Sequence, residues 1–270
     1  MGRIGRSIQL VQQSYRILLQ DKELMILPLI SGAFIVAVTV GVFMGFGVGQ
    51  TDFDRKDPRA MAAMFLVYVV TYAIGIFFQA AVIAGATERM RGGDPTVGSA
   101  LGAAAKRIVP ILMWSVFAAT VGMILRMIHD KVGFLGRIIT SLVGAAWSMA
   151  TFFVVPVLVL EERSVGESFS QSVAIFKKTW GETMAGGMSM GVAFFAAWVT
   201  LIAMVGLLAW AGAGIIALAV LAVGALFLVA FFSALQGIYV ASLYRYATDG
   251  HAPSGFDADL LAHAFVPKTR

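Results

Sequence analysis

Cysteine is absent from the 270-residue chain, which excludes a disulfide framework, a thiolate nucleophile and a cysteine-based metal site. Asparagine is absent as well, so no Asn-linked glycan can be carried. Charge is scarce. Only 13% of residues are Asp, Glu, Lys or Arg and 59% are hydrophobic, against about 25% charged in a typical soluble domain. A surface facing water on every side cannot be covered by so few polar groups, and a soluble fold is excluded. Between positions 183 and 244 there is no charged residue at all. About 20 apolar residues cross the hydrocarbon core of a bilayer, so this interval alone supplies two spans.

Other absences bear on chemistry. No phosphate loop, nucleophile elbow or metalloprotease helix occurs, and no enzyme and no cofactor are expected. His129, His251 and His263 fall outside the apolar runs, and the Asp52–Asp54 and Asp257–Asp259 pairs read as solvated loop carboxylates rather than a metal site. No predicted span carries Asp, Glu, Lys, Arg or His near its centre, the usual mark of proton relays and ion-coupled transport. The first twenty-three residues are too polar for a signal-peptide core, and Arg6 stands where a myristoylation motif needs Ser or Thr, so neither form of processing is expected.

What is present is a set of long apolar runs. They predict an all-α, polytopic transmembrane bundle of about six spans, near 24–48, 61–86, 108–125, 138–160, 184–210 and 214–244. Counted by connecting segment, fourteen Lys and Arg lie on the side that holds both termini and six on the other. The positive-inside bias therefore places both termini in the cytoplasm of a plasma or inner membrane. The net charge of +5 is explained by these flanking residues, and no nucleic-acid partner is expected. The lipid bilayer is the expected partner, with a second copy or another membrane protein as further possibilities.

A threefold internal repeat is predicted, with units of about 1–92, 93–164 and 165–250 in one transmembrane domain, 1–250, followed by a polar cytoplasmic tail, 251–270. Each even-numbered span holds a Phe pair (Phe77-Phe78, Phe152-Phe153, Phe231-Phe232), followed by an Arg at the cytoplasmic end (Arg89, Arg163, Arg245). Ahead of each odd span lies an amphipathic segment. Its apolar face is Ile4, Ile8, Val11, Tyr15 and Leu18 in the first unit and Val97, Leu101, Ala105 and Ile108 in the second. In the third it is Val165, Phe169, Val173, Phe176 and Trp180. Such segments suit the membrane interface. Each unit then reads as an interfacial elbow followed by a helical hairpin, and two spans per unit give three parallel copies.

The first span carries small residues at every fourth position: Ala33, Ala37, Gly41, Gly45 and Gly49. A ladder of this kind lets helix backbones approach closely. Packing within the bundle is the simplest use of it, contact between copies the alternative, and Gly45→Leu is expected to lower stability. Pro28 and Pro110 suit first helical turns, while Pro156 should kink the fourth span and free the carbonyl of Phe152. Among polar residues inside spans, Gln79 and Gln236 stand out because each follows a Phe pair in related repeat positions. They are the candidate membrane-embedded site.

The chain resembles an uncharacterised prokaryotic family of six-span integral membrane proteins, known only as a domain of unknown function. The likeness rests on Ser14-Tyr15-Arg16-Ile17-Leu18-Leu19-Gln20-Asp21-Lys22-Glu23-Leu24 and on Ala86-Thr87-Glu88-Arg89-Met90-Arg91-Gly92-Gly93. It continues in the run from Trp147 to Val159 and in Lys177-Lys178-Thr179-Trp180-Gly181. Members tend to have Trp where this chain has Tyr15. The resemblance implies a six-span fold in a membrane and no particular activity. Two functional expectations follow: a non-catalytic membrane scaffold that organises partners or lipid through its elbows, or a passive permease or pore for a small neutral solute.

Overall fold

The computed structural model describes residues 3–45 and 58–249, and every regular element among them is helical. Helix α1 (Arg3–Gln20) leads through a 3-10 turn (Lys22–Met25) into α2 (Ile26–Gly45), and α3 covers Pro58–Met90. The short α4 (Val97–Ala105) precedes α5 (Ile108–Lys131), α6 (Phe134–Thr151) and α7 (Val154–Leu160). The chain closes with α8 (Val165–Trp210) and α9 (Gly214–Asp249). Six of the segments are long and apolar enough to cross a membrane: Lys22–Gly45, Ala62–Met90, Ile108–Lys131, Phe134–Leu160, Gly187–Trp210 and Gly214–Arg245. These are the six spans that the apolar runs predict. Gly49, Asp52, Asp54, His251, His263 and the 251–270 tail lie outside the described residues.

The helix boundaries follow from local chemistry. Pro58, Pro28 and Pro110 lie in the first turns of α3, α2 and α5, where a missing N–H leaves no bond unmade. In one continuous helix the Pro110 ring would clash with the carbonyl of Lys106, and α4 and α5 separate there. Pro28 has the same relation to Leu24, inside the 3-10 turn between α1 and α2. The third unit differs. No proline occurs between Pro156 and Pro253, and the expected elbow and fifth span form one uninterrupted helix, α8, of 46 residues.

Two helices end in the same device. Gly92 and Gly212 take φ of 85° and 81°, a left-handed conformation open to glycine at little cost. Around Gly92 the N–H groups of Gly92 and Gly93 reach the carbonyls of Arg89 and Glu88 at 2.9 and 3.0 Å. Around Gly212 those of Gly212 and Ala213 reach Ala209 and Leu208 at 3.1 and 2.9 Å. This paired closure satisfies carbonyls that the helix end would otherwise leave bare. At Gly212 it produces a tight uncharged turn between spans five and six.

The chain divides into two compact units: Met1–Leu29 with Val82–Ala100 and Lys177–Arg270, and Ile30–Ala81 with Leu101–Phe176. In the first, α1 packs on α9, and Tyr15 meets Phe231 edge-on at 5.9 Å between ring centroids. Among residues 11–20 of α1 the buried positions are Ser14, Ile17 and Leu18, whereas Tyr15 and Leu19 are exposed. Of the face expected to enter the acyl boundary, Tyr15 is exposed and Leu18 is buried, and the packed side also carries the small hydroxyl of Ser14. In the second unit α5 pairs with α6, and Trp147 stacks between Trp114 at 6.1 Å and Phe169 at 5.9 Å. Phe169 therefore serves packing as well as amphipathicity.

Burial is uneven along α3, α5 and α9. In α3 residues 80–87 are buried while Met64, Phe65 and Leu66 are exposed. In α9 Ile238, Tyr239, Val240 and Leu243 are buried while Ile215, Leu218 and Leu226 are exposed. In α5 the buried Ile111, Trp114, Ala118 and Ala119 give way to exposed Ile124, Met127 and Ile128. In every case the packed half is the one next to the Lys- and Arg-rich connections. The other half presents apolar side chains, which acyl chains solvate as readily as protein does.

The ladder of α2 does not take part in this packing. Ala33, Ala37, Gly41 and Gly45 are exposed, and a Cβ added to Gly41 or Gly45 meets nothing within 4 Å. The buried residues of α2 are Leu27 and Ser31 near its start, just after the buried Leu24 of the 3-10 turn. Glycine is used for close approach elsewhere. A Cβ on Gly237 would lie 2.5 Å from the Val82 side chain, and one on Gly85 would lie 2.7 Å from Leu24 and 3.3 Å from Ala100.

Candidate functional site

The densest set of polar contacts gathers where α1, α3 and α4 end or begin. Helix α1 stops at Gln20, and Asp21 opens the 3-10 turn, accepting the N–H of Leu24 on its carbonyl at 3.0 Å. Its carboxylate makes no cap to that turn. Instead both oxygens are taken by Arg89, through Nε and one terminal nitrogen, in a fork-to-fork ion pair. The same terminal nitrogen donates to Asp94 at 2.6 Å. Asp21 is 5% exposed and Arg89 27%. A planar guanidinium suits this site because two parallel bonds fix orientation as well as charge.

The neighbouring segments are tied into the same network. Thr96 and Ser99 form a reciprocal cap at the start of α4, each side chain accepting the other's N–H at 3.0 Å. Two of the free N–H groups at the helix start are thereby satisfied. Ser99 also donates to Glu88 at 2.9 Å, and the Val97 N–H reaches Glu23 at 3.3 Å. Together these groups border a pocket of about 420 Å³, lined by Leu19, Gln20, Asp21, Lys22, Glu23, Arg89, Asp94, Pro95 and Thr96. It holds three carboxylates against two cations. Among the described residues no three His, Asp or Glu side chains come together as a metal site.

Two further polar devices lie in the second unit. Arg107, at the junction of α4 and α5, donates to the carbonyls of Leu158 at 3.0 Å and Arg163 at 2.8 Å, closing the end of α7. Glu167 accepts from both the hydroxyl and the N–H of Ser164, at 2.7 and 3.0 Å. The hydroxyl bond holds its carboxyl below the usual range.

The sequence candidates fare differently. Gln79 is half-buried in the second unit and Gln236 is exposed in the first. Each stands in its span as expected, but no shared site is described for them. Asp21 and Arg89, the best-connected pair here, were not candidates. Arg89 reads as a repeat mark and a topology signal, and a partner 68 positions away leaves no local trace. Both do fall in segments that carry the family resemblance, and that coincidence was the available signal.

Residues 59–256, more than half of the chain, match the model of a protein family described as a family of unknown function (DUF6159). The match includes the Ala86–Gly93 and Trp147–Val159 motifs and leaves the Ser14–Leu24 motif before it. No curated protein and no solved structure matches the chain.

Proposed function

The chain belongs to a family of unknown function, DUF6159, and on that footing we propose that it is a non-catalytic membrane protein organising lipid or a protein partner at its elbow-end face. The carrying observation is the Asp21–Arg89–Asp94 pocket with its Glu23, Glu88 and Ser99 attachments. These polar side chains sit at helix ends, which in this reading reach headgroups and cytoplasm. Intramembrane ionisable groups of the kind that drive transport have no counterpart at the span centres. In this reading the membrane is the cell membrane and both termini are cytoplasmic, in keeping with the positive-inside bias. The runner-up is a passive pore for a small neutral solute, with Gln79 and Gln236 as its polar lining.

Two measurements bear on the proposal. Reporter fusions after Gly93 and after Ala264 should behave as cytoplasmic and one after Asp54 as exported; the reverse pattern would refute the orientation. A photo-reactive amino acid at Leu19, an exposed pocket residue, should yield a discrete lipid or protein adduct in cells. The same probe at the exposed Leu207, on the far half of α8, should give only diffuse labelling. Equal labelling at both positions would count against a working surface at the elbows.

A further inference from the structure

The fourth span is not one helix. It breaks at Phe152 and Phe153, between α6 and α7, where Pro156 has no N–H to offer the carbonyl of Phe152. A break within a membrane exposes backbone groups that water cannot reach, and they must find partners in the protein. Ser172 of α8 supplies them. Its buried hydroxyl accepts the Phe153 N–H at 3.0 Å and donates to the carbonyl of Ala150 at 2.7 Å. One side chain thus bridges the two sides of the gap. The seven-residue α7 beyond it is buried from Val154 to Val159, and Arg107 holds its far end.

One turn before Ser172 on the same face of α8 lies Ser168. It is fully buried, and its hydroxyl has no hydrogen-bond partner. Buried hydroxyls are nearly always bonded, and an idle one calls for an explanation. Four residues of helix correspond to about 6 Å along the axis. If α8 advanced by that distance, Ser168 would arrive where Ser172 now stands. The four residues from Glu161 to Ser164 can span about 13 Å and would accommodate the move.

We propose that the break in the fourth span is a latched joint with two registers, Ser172 engaged in the structure described and Ser168 engaged after α8 advances by one turn. One-turn ratchets of packed helices are a known form of two-state switching, because interdigitated side chains favour discrete positions over intermediate ones. The Arg107 bond to Arg163 precedes α8 in the chain and would be released in the advanced register, so it favours the present one. The joint links the elbow segment of α8 to the fourth span, and a load on the elbow would be transmitted into the bundle.

The test places spin labels at Leu142 on α6 and Ser170 on α8, both exposed, in protein reconstituted into nanodiscs. Phe169 meets Trp147 and Phe176 meets Phe152, so an advance of α8 carries Ser170 away from Leu142. Ser172→Ala removes the engaged latch and should lengthen the distance by up to about 6 Å. Ser172→Thr should restore the original distance, and Ser168→Ala/Ser172→Ala should lose the lengthened population. An unchanged distance in Ser172→Ala, or the same lengthening in the double variant, would overturn the ratchet. A second readout needs no variant. The Phe153 amide, which has no helical partner, should be protected from hydrogen exchange in the wild-type protein, and exchange at the rate of an open amide would overturn the latch itself.

Discussion

Arg89→Ala is expected to destabilise the folded protein by about 3 kcal/mol, because it leaves Asp21 as a buried carboxylate without its cation. Removing one member of a buried pair typically costs about 3–5 kcal/mol, and the lower end applies because Arg89 retains contact with water. Asp94 makes the instructive comparison. It bonds the same guanidinium, but its side chain is 90% exposed, and Asp94→Ala should cost about 0.5 kcal/mol or less. Arg89→Lys keeps the charge and loses the fork, so it should fall between the two. Asp21→Asn combined with Arg89→Gln should recover part of the loss, since no buried charge is then left alone. Thermal unfolding in detergent, followed by tryptophan fluorescence, orders the four variants. Equal melting temperatures for Arg89→Ala and Asp94→Ala would show that the pair does not hold the α1–α3 junction together.

The second large effect concerns glycine. Gly237→Leu should cost about 2–3 kcal/mol, whereas Gly45→Leu should be close to neutral for a single chain. The two glycines look alike in sequence, and Gly45 has the more regular surroundings. In the structure the α9 backbone approaches Val82 so closely at Gly237 that even a methyl group lies within 2.5 Å of that side chain. At Gly45 the space is open. Val82→Ala should rescue Gly237→Ala in part, because it removes the methyl groups that block the new Cβ. Similar melting of Gly237→Leu and wild-type protein would contradict the close approach of α9 to α3. A large loss in Gly45→Leu would mean that a second copy covers the ladder.

The six spans were legible because a run of some 20 apolar residues has few alternatives to crossing a bilayer. The turn at Ala211–Ala213 and the break near Pro156 were legible for a local reason: glycine and proline act on their immediate neighbours. The continuity of α8 could have been anticipated from the missing proline. Amphipathic periodicity defines a face and says little about where a helix stops, so the third elbow was drawn as separate. Periodicity scores apolar residues, so it did not single out Ser14, whose small hydroxyl is buried on the packed side of α1. Asp21 and Arg89 were hidden by distance in sequence, since an Arg at a span end is ordinary topology chemistry until its partner is seen. Ser172 was hidden by its type. A serine on a helix usually bonds its own backbone, and only the gap at Phe153 gives it another task.

The surface-acting reading and the pore reading differ most directly in solute flux. Purified wild-type protein in liposomes should swell no faster than protein-free liposomes in gradients of glycerol and larger neutral polyols, and Gln79→Leu and Gln236→Leu should change nothing. Swelling well above the protein-free rate, lost on Gln79→Leu, would contradict a protein that works at its elbow-end face and would establish the pore.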